Sequence, residues 1–116
     1  MLLRASGLTH NRAYDLGAVT GAVPDDGGVA HGRLLIELAE AVVGDDAHAL
    51  AAARAAASDA MGSAAVADAA AVVGLFNAID RVADATGIPL EAEKAEASAD
   101  FRAALGVDRF DVSARL

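Results

Sequence analysis

The stretch Leu75-Phe76-Asn77-Ala78-Ile79-Asp80-Arg81-Val82-Ala83-Asp84-Ala85-Thr86-Gly87-Ile88-Pro89-Leu90 decides how this chain folds. It reads as the end of a long helix, with polar residues set into an otherwise apolar run. Gly87 stands where a left-handed C-terminal residue belongs, and Pro89 prevents the helix from continuing. Working backwards, the same helix reaches Ala64, with Gly62 as a stop and Ser63 as its N-cap. Its first half is apolar almost all the way round, the pattern of a buried central helix. Ala70, Gly74 and Ala78 recur every four residues and predict the close approach of another backbone. Asn77 and Arg81 are i and i+4 and share a face. A buried arginine needs a carboxylate partner. Asp84 is the first candidate, with Asp80 on the same helix and Asp15 or Glu37 on other helices as further ones.

Composition sets the frame around this helix. The chain has 116 residues, the length of one domain, and is read as a single domain over residues 1–116. A chain of that size buries roughly two thirds of its unfolded surface. Hydrophobic residues make up 55% but aromatics only 3%, because alanine dominates. Alanine is the best helix former but has little surface to bury. Close-packed helices with small residues at the crossings are therefore expected, and a homo-oligomer would add the burial that each subunit lacks. The net charge is −8, a field that repels nucleic-acid backbones and anionic membrane surfaces, and no basic stripe offsets it. Neither nucleic acid nor a membrane is an expected partner. The absence of cysteine removes disulfides, thiolate metal sites and thiol catalysis. Met1-Leu2-Leu3-Arg4-Ala5-Ser6-Gly7 lacks the apolar run of a signal peptide. Ala64 to Ile79 carries Asp68 and Asn77 and is short for a membrane span. The expected location is the cytoplasm.

No segment alternates as a strand does, and most show helical periodicity. In Leu2 to Ala22, Gly7, Gly17 and Gly21 weaken a helix, and Asn11 to Val19 is its best helical part. Val23 to Gly28 is a loop, since Pro24 blocks helix. A second helix is expected over Val29 to Val43, with Leu34, Leu35, Leu38, Ala39 and Val42 as its apolar stripe, and Gly44 ends it. Asp45 or Asp46 caps a third, Ala47 to Met61, nearly all alanine and suited to a narrow gap. After the long fourth helix, a fifth runs over Leu90 to Leu105. Leu90, Ala97, Phe101, Ala104 and Leu105 face inward, and Gly106 ends it. The tail to Leu116 reads as an extended arm that Val107, Phe110 and Val112 pin to a neighbour.

Two pieces of the chain carry a family resemblance. Leu34-Leu35-Ile36-Glu37-Leu38-Ala39-Glu40 looks like an "LL-x-x-A" helix leading to a short acidic turn. Phe76-Asn77-x-x-x-Arg81, followed by Val82 to Leu90, is similar to an "FN-x-x-N-R-x-A-D-x-x-G-I-P" ending. Together these resemble the alkylhydroperoxidase D-like / carboxymuconolactone decarboxylase-like family, in its peroxidase-related branch, over about half the chain. The resemblance implies an all-α domain of about five helices that oligomerises through helix packing. It also implies that Asn77, Arg81 and Asp84 stabilise a helix crossing or subunit contact. The family's redox site is C-x-x-C-x-x-x-H at a helix start, where the helix dipole and the histidine favour the thiolate. The best match here is Leu3-x-x-Ser6-x-x-x-His10, with Leu3 and Ser6 in place of the cysteines. A second register sets Tyr14-Asp15-Leu16 on the "Y-E-W-x-x-H" of the decarboxylase branch and leaves Val19 where a histidine belongs. Neither register contains a thiol, so peroxidase chemistry is expected to be absent. The chain begins close to this motif, without the N-terminal helices of longer family members.

The candidate catalytic residues are therefore His10, as general base, and Ser6. Tyr14 and Asp15 would orient a ligand in the second register. Asp25-Asp26-Gly27-Gly28 lacks the alternating ligands and closing glutamate of a calcium loop and reads as a solvated turn. His31 and His48 have no metal-ligand spacing. No cofactor or metal is expected. Two functions stay open. One is a cysteine-free relative that binds a small acid or lactone-like molecule near His10, Ser6 and Tyr14, with acid–base activity within reach of the fold. The other is a non-enzymatic oligomeric interaction module.

Overall fold

Leu34, Leu35, Leu38 and Val42 lie at helical spacing on one side of α2 (Gly32–Val43), and that side meets α3 (Ala47–Met61) and α4 (Ser63–Thr86). The computed structural model describes residues 2–110. Leu38 is only 2% exposed and Ala57, at mid-α3, is 0% exposed. Asp46 starts α3 by accepting from the backbone N–H groups of His48 (2.8 Å) and Ala49 (3.1 Å), the N-cap expected of an aspartate there.

The described residues contain helices and 3-10 turns but no strand, so the all-α reading stands. Several boundaries and burial expectations do not. Helix forms at the start of the first segment, as α1 (Leu2–His10), and not over Asn11 to Val19. Asn11 takes a left-handed conformation (φ 51°) and the Arg12 N–H reaches back to the Gly7 carbonyl at 2.8 Å, which closes α1 as a helix end commonly closes. Only a short 3-10 turn, Leu16–Ala18, follows before the loop. α2 begins at Gly32, three residues later than expected, because tight turns bond Val29 N–H to Asp26 and Gly32 N–H to Val29. Ser63 falls inside α4; Gly62 alone, at φ 87°, both ends α3 and opens α4. Leu90 lies outside α5 (Ala92–Leu105) and is 54% exposed. On α5, Ala97 and Ala104 are exposed, Phe101 and Leu105 are half-buried, and Ser98 is the buried residue. The residues expected to extend as an arm coil instead into a 3-10 turn, Val107–Phe110. Val112 lies outside the described residues.

The largest correction concerns α4. It was expected to be buried, yet none of its 24 residues is. Interhelix packing is largely confined to α2, α3 and α4, while α5 packs chiefly on the turn that follows it. On α4, Val66, Ala69, Ala70 and Val73 are half-buried and form one row at three- and four-residue spacing. One and two turns further on, the same row reads Asn77, Asp80, Arg81 and Asp84. The face that holds α4 to its neighbours thus turns polar after Val73, and the second half of the helix runs on into solvent. Gly74 meets nothing there: a Cβ added to it would have no atom within 4 Å.

Two substitutions separate core from projection. Leu38→Ala should cost about 2–5 kcal/mol by opening a cavity. Gly74→Ala should stabilise α4 by about 1 kcal/mol, since glycine is disfavoured in a helix and the space is free. Thermal denaturation followed by circular dichroism distinguishes the fall from the rise.

Candidate functional site

The N-terminal candidates depend on how α1 ends. A side chain at position 7 would meet the Arg12 carbonyl at 2.5 Å and the Tyr14 ring at 3.0 Å. Glycine there allows the chain to fold back and lay Tyr14, half-buried, across α1. His10, Arg12 and Tyr14 then line a shallow open depression. His10 and Arg12 are exposed, and Ser6 is half-buried one turn earlier on α1. Among the described residues no hydrogen bond joins Ser6 to His10, and no carboxylate lines the depression. Asp15 is engaged elsewhere. Its Oδ1 accepts the Gly17 N–H at 2.8 Å and caps the 3-10 turn. In the alternative register, Val19 is 61% exposed. A general base acts best when a second group orients it and a closed site excludes water. His10 has neither here.

An apolar cavity lies between the start of α1, the 3-10 turn and α2, lined by Leu3, Leu16, Val19, Val29, Leu35 and Ile36 among others. Its volume is ≈ 150 Å³, well below the roughly 300–1,000 Å³ of small-molecule sites. A larger groove between α2 and α3 is open to solvent, floored by alanines and edged by Glu37, Glu40, Asp45 and Asp46. Among the described residues no His, Cys, Asp and Glu side chains converge as a metal site. His31 and His48 are exposed.

The acidic loop is occupied by its own backbone. Asp25 Oδ1 accepts the Gly27 N–H at 2.8 Å, and Asp26 Oδ1 accepts the Arg33 N–H at 2.8 Å. Asp26 thereby caps α2 from seven residues away, a role His31 leaves vacant because its side chain makes no cap bond. Gly27 permits this route, since a Cβ on it would sit 2.6 Å from the Asp15 carbonyl.

Asn77, Arg81 and Asp84 are exposed on α4. Among the described residues no ion pair joins Arg81 to Asp80, Asp84, Asp15 or Glu37, and Glu37 instead pairs with Arg33 at 2.9 Å. Arg81 is in water, so nothing compels it to pair. The feature that sequence reasoning missed lies on the other side of the same helix. Val72, Leu75, Phe76, Ile79 and Val82 form a continuous row, each 52–59% exposed. The signal was present in the polar row Asn77, Asp80, Arg81 and Asp84, which divides this half of α4 into two faces.

α4 is also long and apolar enough, by length and composition alone, to cross a membrane. Compared with protein-family models, curated proteins and solved structures, the chain matches none.

Asp26→Ala should lower stability by about 1 kcal/mol through loss of the α2 cap, visible as a lower melting temperature. Millimolar calcium should leave the wild-type melting curve unchanged, because both loop aspartates already accept backbone N–H groups.

Proposed function

We propose that this chain is a helical, oligomeric interaction module of the cytoplasm. On this reading it is a cysteine-free relative of the alkylhydroperoxidase D-like / carboxymuconolactone decarboxylase-like proteins, in which thiol peroxidase chemistry went with the cysteines. The observation that carries the proposal is the solvent-facing row from Val72 to Val82 on α4. Large contiguous apolar patches on a protein surface mark sites of association. The groups suited to catalysis are, in contrast, dispersed. Ser6 and His10 share no hydrogen bond, Asp15 caps a turn, and the nearest apolar cavity is too small for an ordinary ligand.

The competing reading is small-acid binding beside His10. It draws on the depression formed with Arg12 and Tyr14, where a guanidinium could face a carboxylate. Hydroperoxide consumption by metal-free purified protein, with His10→Ala beside it, tests for catalysis, and calorimetric titration with acetate, expected to show no binding, tests the depression beside His10. The expected result is no turnover above buffer for either protein. Turnover that disappears with His10→Ala would overturn the module reading and establish a thiol-free enzyme.

A further inference from the structure

We propose that the Val72–Val82 row is a self-association seam that meets the same row of a second copy of this chain, with the two α4 helices antiparallel. This deepens the interaction-module reading by naming the partner.

The first argument is area. The chain exposes 8352 Å², whereas a compact monomer of its mass, 11.6 kDa, exposes about 5,800 Å². The excess is about 2,500 Å² per chain. The Val72–Val82 row, each residue more than half exposed, is part of that excess, and pairing removes it from water on both copies. Among the described residues the buried hydrophobic set is Ala18, Leu38 and Ala57, a very small core for a chain of this length. A second copy supplies the missing burial wherever the chain itself is present.

The second argument is the pattern. Val72 and Ile79 are seven residues apart, and so are Leu75 and Val82, three positions later in each heptad. Apolar residues at both of these positions make the seam of a coiled coil. An antiparallel seam opposes the two positions, which sets Val72 against Val82 and Leu75 against Ile79 of the second copy. Asp80, Arg81 and Asp84 stay off this seam, on the opposite row, and Asp68, one heptad before Leu75, marks its N-terminal end.

The third argument gives the orientation. The first half of α4 holds its own α2 and α3 through the row from Val66 to Val73, and the second half is bare. Antiparallel pairing lays each bare half beside the supported half of the other copy. Parallel pairing would crowd both three-helix units at one end and leave two bare ends at the other. A lipid surface suits the row less well. The net charge of −8 opposes anionic headgroups, and the polar face of α4 carries a single arginine, Arg81, beside Asp80 and Asp84, where an interfacial helix is rich in lysine and arginine.

The test is sedimentation velocity on the full chain, wild type and Ile79→Asp, with circular dichroism on both. The wild type should sediment as a dimer, and association should tighten as salt rises, because an apolar seam joins two copies of like charge. Ile79→Asp should keep its helix content, since residue 79 lies beyond the packed core, and should weaken association by about thirtyfold or more. Because the chain has no cysteine, Val72→Cys and Val82→Cys proteins report the direction. Mixed and oxidised, they should cross-link to each other more than either does to itself. A wild-type monomer at 100 µM order of concentration, a trimer, an assembly indifferent to Ile79→Asp, or preferred cross-linking of Val72→Cys to itself would each overturn the proposal. So would a wild-type monomer that floats with phosphatidylcholine vesicles, which would make the row a membrane surface. Peroxide turnover by a dimeric wild type would sink the module reading but leave the seam; a monomer without turnover would sink the seam and the self-association in the module reading, leaving a module that binds another protein.

Discussion

The packing of α2 against α3, with Leu38 buried on one helix and Ala57 on the other, is the contact from which the remaining architecture extends. It exists because α3 is almost all alanine and can approach a leucine-bearing helix closely. The same small side chains keep the contact weak. Each alanine removes little apolar surface from water, and hydrophobic stabilisation scales with the area removed. The three-helix unit therefore has little spare surface with which to hold the rest of the chain.

That shortage explains the behaviour of α4. Its first half presents Val66, Ala69, Ala70 and Val73 to α2 and α3. At Asn77 the same row becomes polar, and among the described residues the rest of the helix is largely exposed. An apolar row appears instead on another side, from Val72 to Val82. One helix thus carries two apolar faces in succession, and among the described residues it is the first that packs on the neighbouring helices. α5 follows the unsupported half and keeps its own local order. Arg102 donates to the Ser98 hydroxyl (3.0 Å) and the Ala95 carbonyl (3.0 Å) and pairs with Asp108, tying the helix to the 3-10 turn after it.

The polar residues near the N-terminus serve mainly to shape the backbone. Asp15, Asp25 and Asp26 each accept a main-chain N–H. These bonds fix the glycine-rich segment between α1 and α2 at Gly17 and Gly27 and tie it to the start of α2 at Arg33. His10 is brought next to Arg12 and Tyr14, but Ser6 and Asp15 do not join it as a catalytic group. The resemblance that drew attention to His10 rests on spacing along the chain, and spacing alone does not aim a carboxylate or close a cavity.

Local chemistry was enough to settle the all-helical class and several helix ends. The span of α3 from Ala47 to Met61, a cap at Asp45 or Asp46 and the ends of α4 and α5 at Gly87 and Gly106 follow from alanine propensity, short polar caps and left-handed glycines; the structure chose Asp46. These depend on neighbours in sequence, so they are legible in it. The start of α2 was misjudged because its cap, Asp26, acts from seven residues away through a turn, and α1 was displaced because a left-handed Asn11 has no strong signature. The burial of α4 was beyond sequence reading for a different reason. An apolar row looks the same whether it faces a core or water, and only the tertiary structure decides which row meets α2 and α3. The sequence by itself determined an all-helical chain with little to bury. The three-dimensional arrangement decided that its most apolar row stands outside its own core, because the row in contact with α2 and α3 ends at Val73.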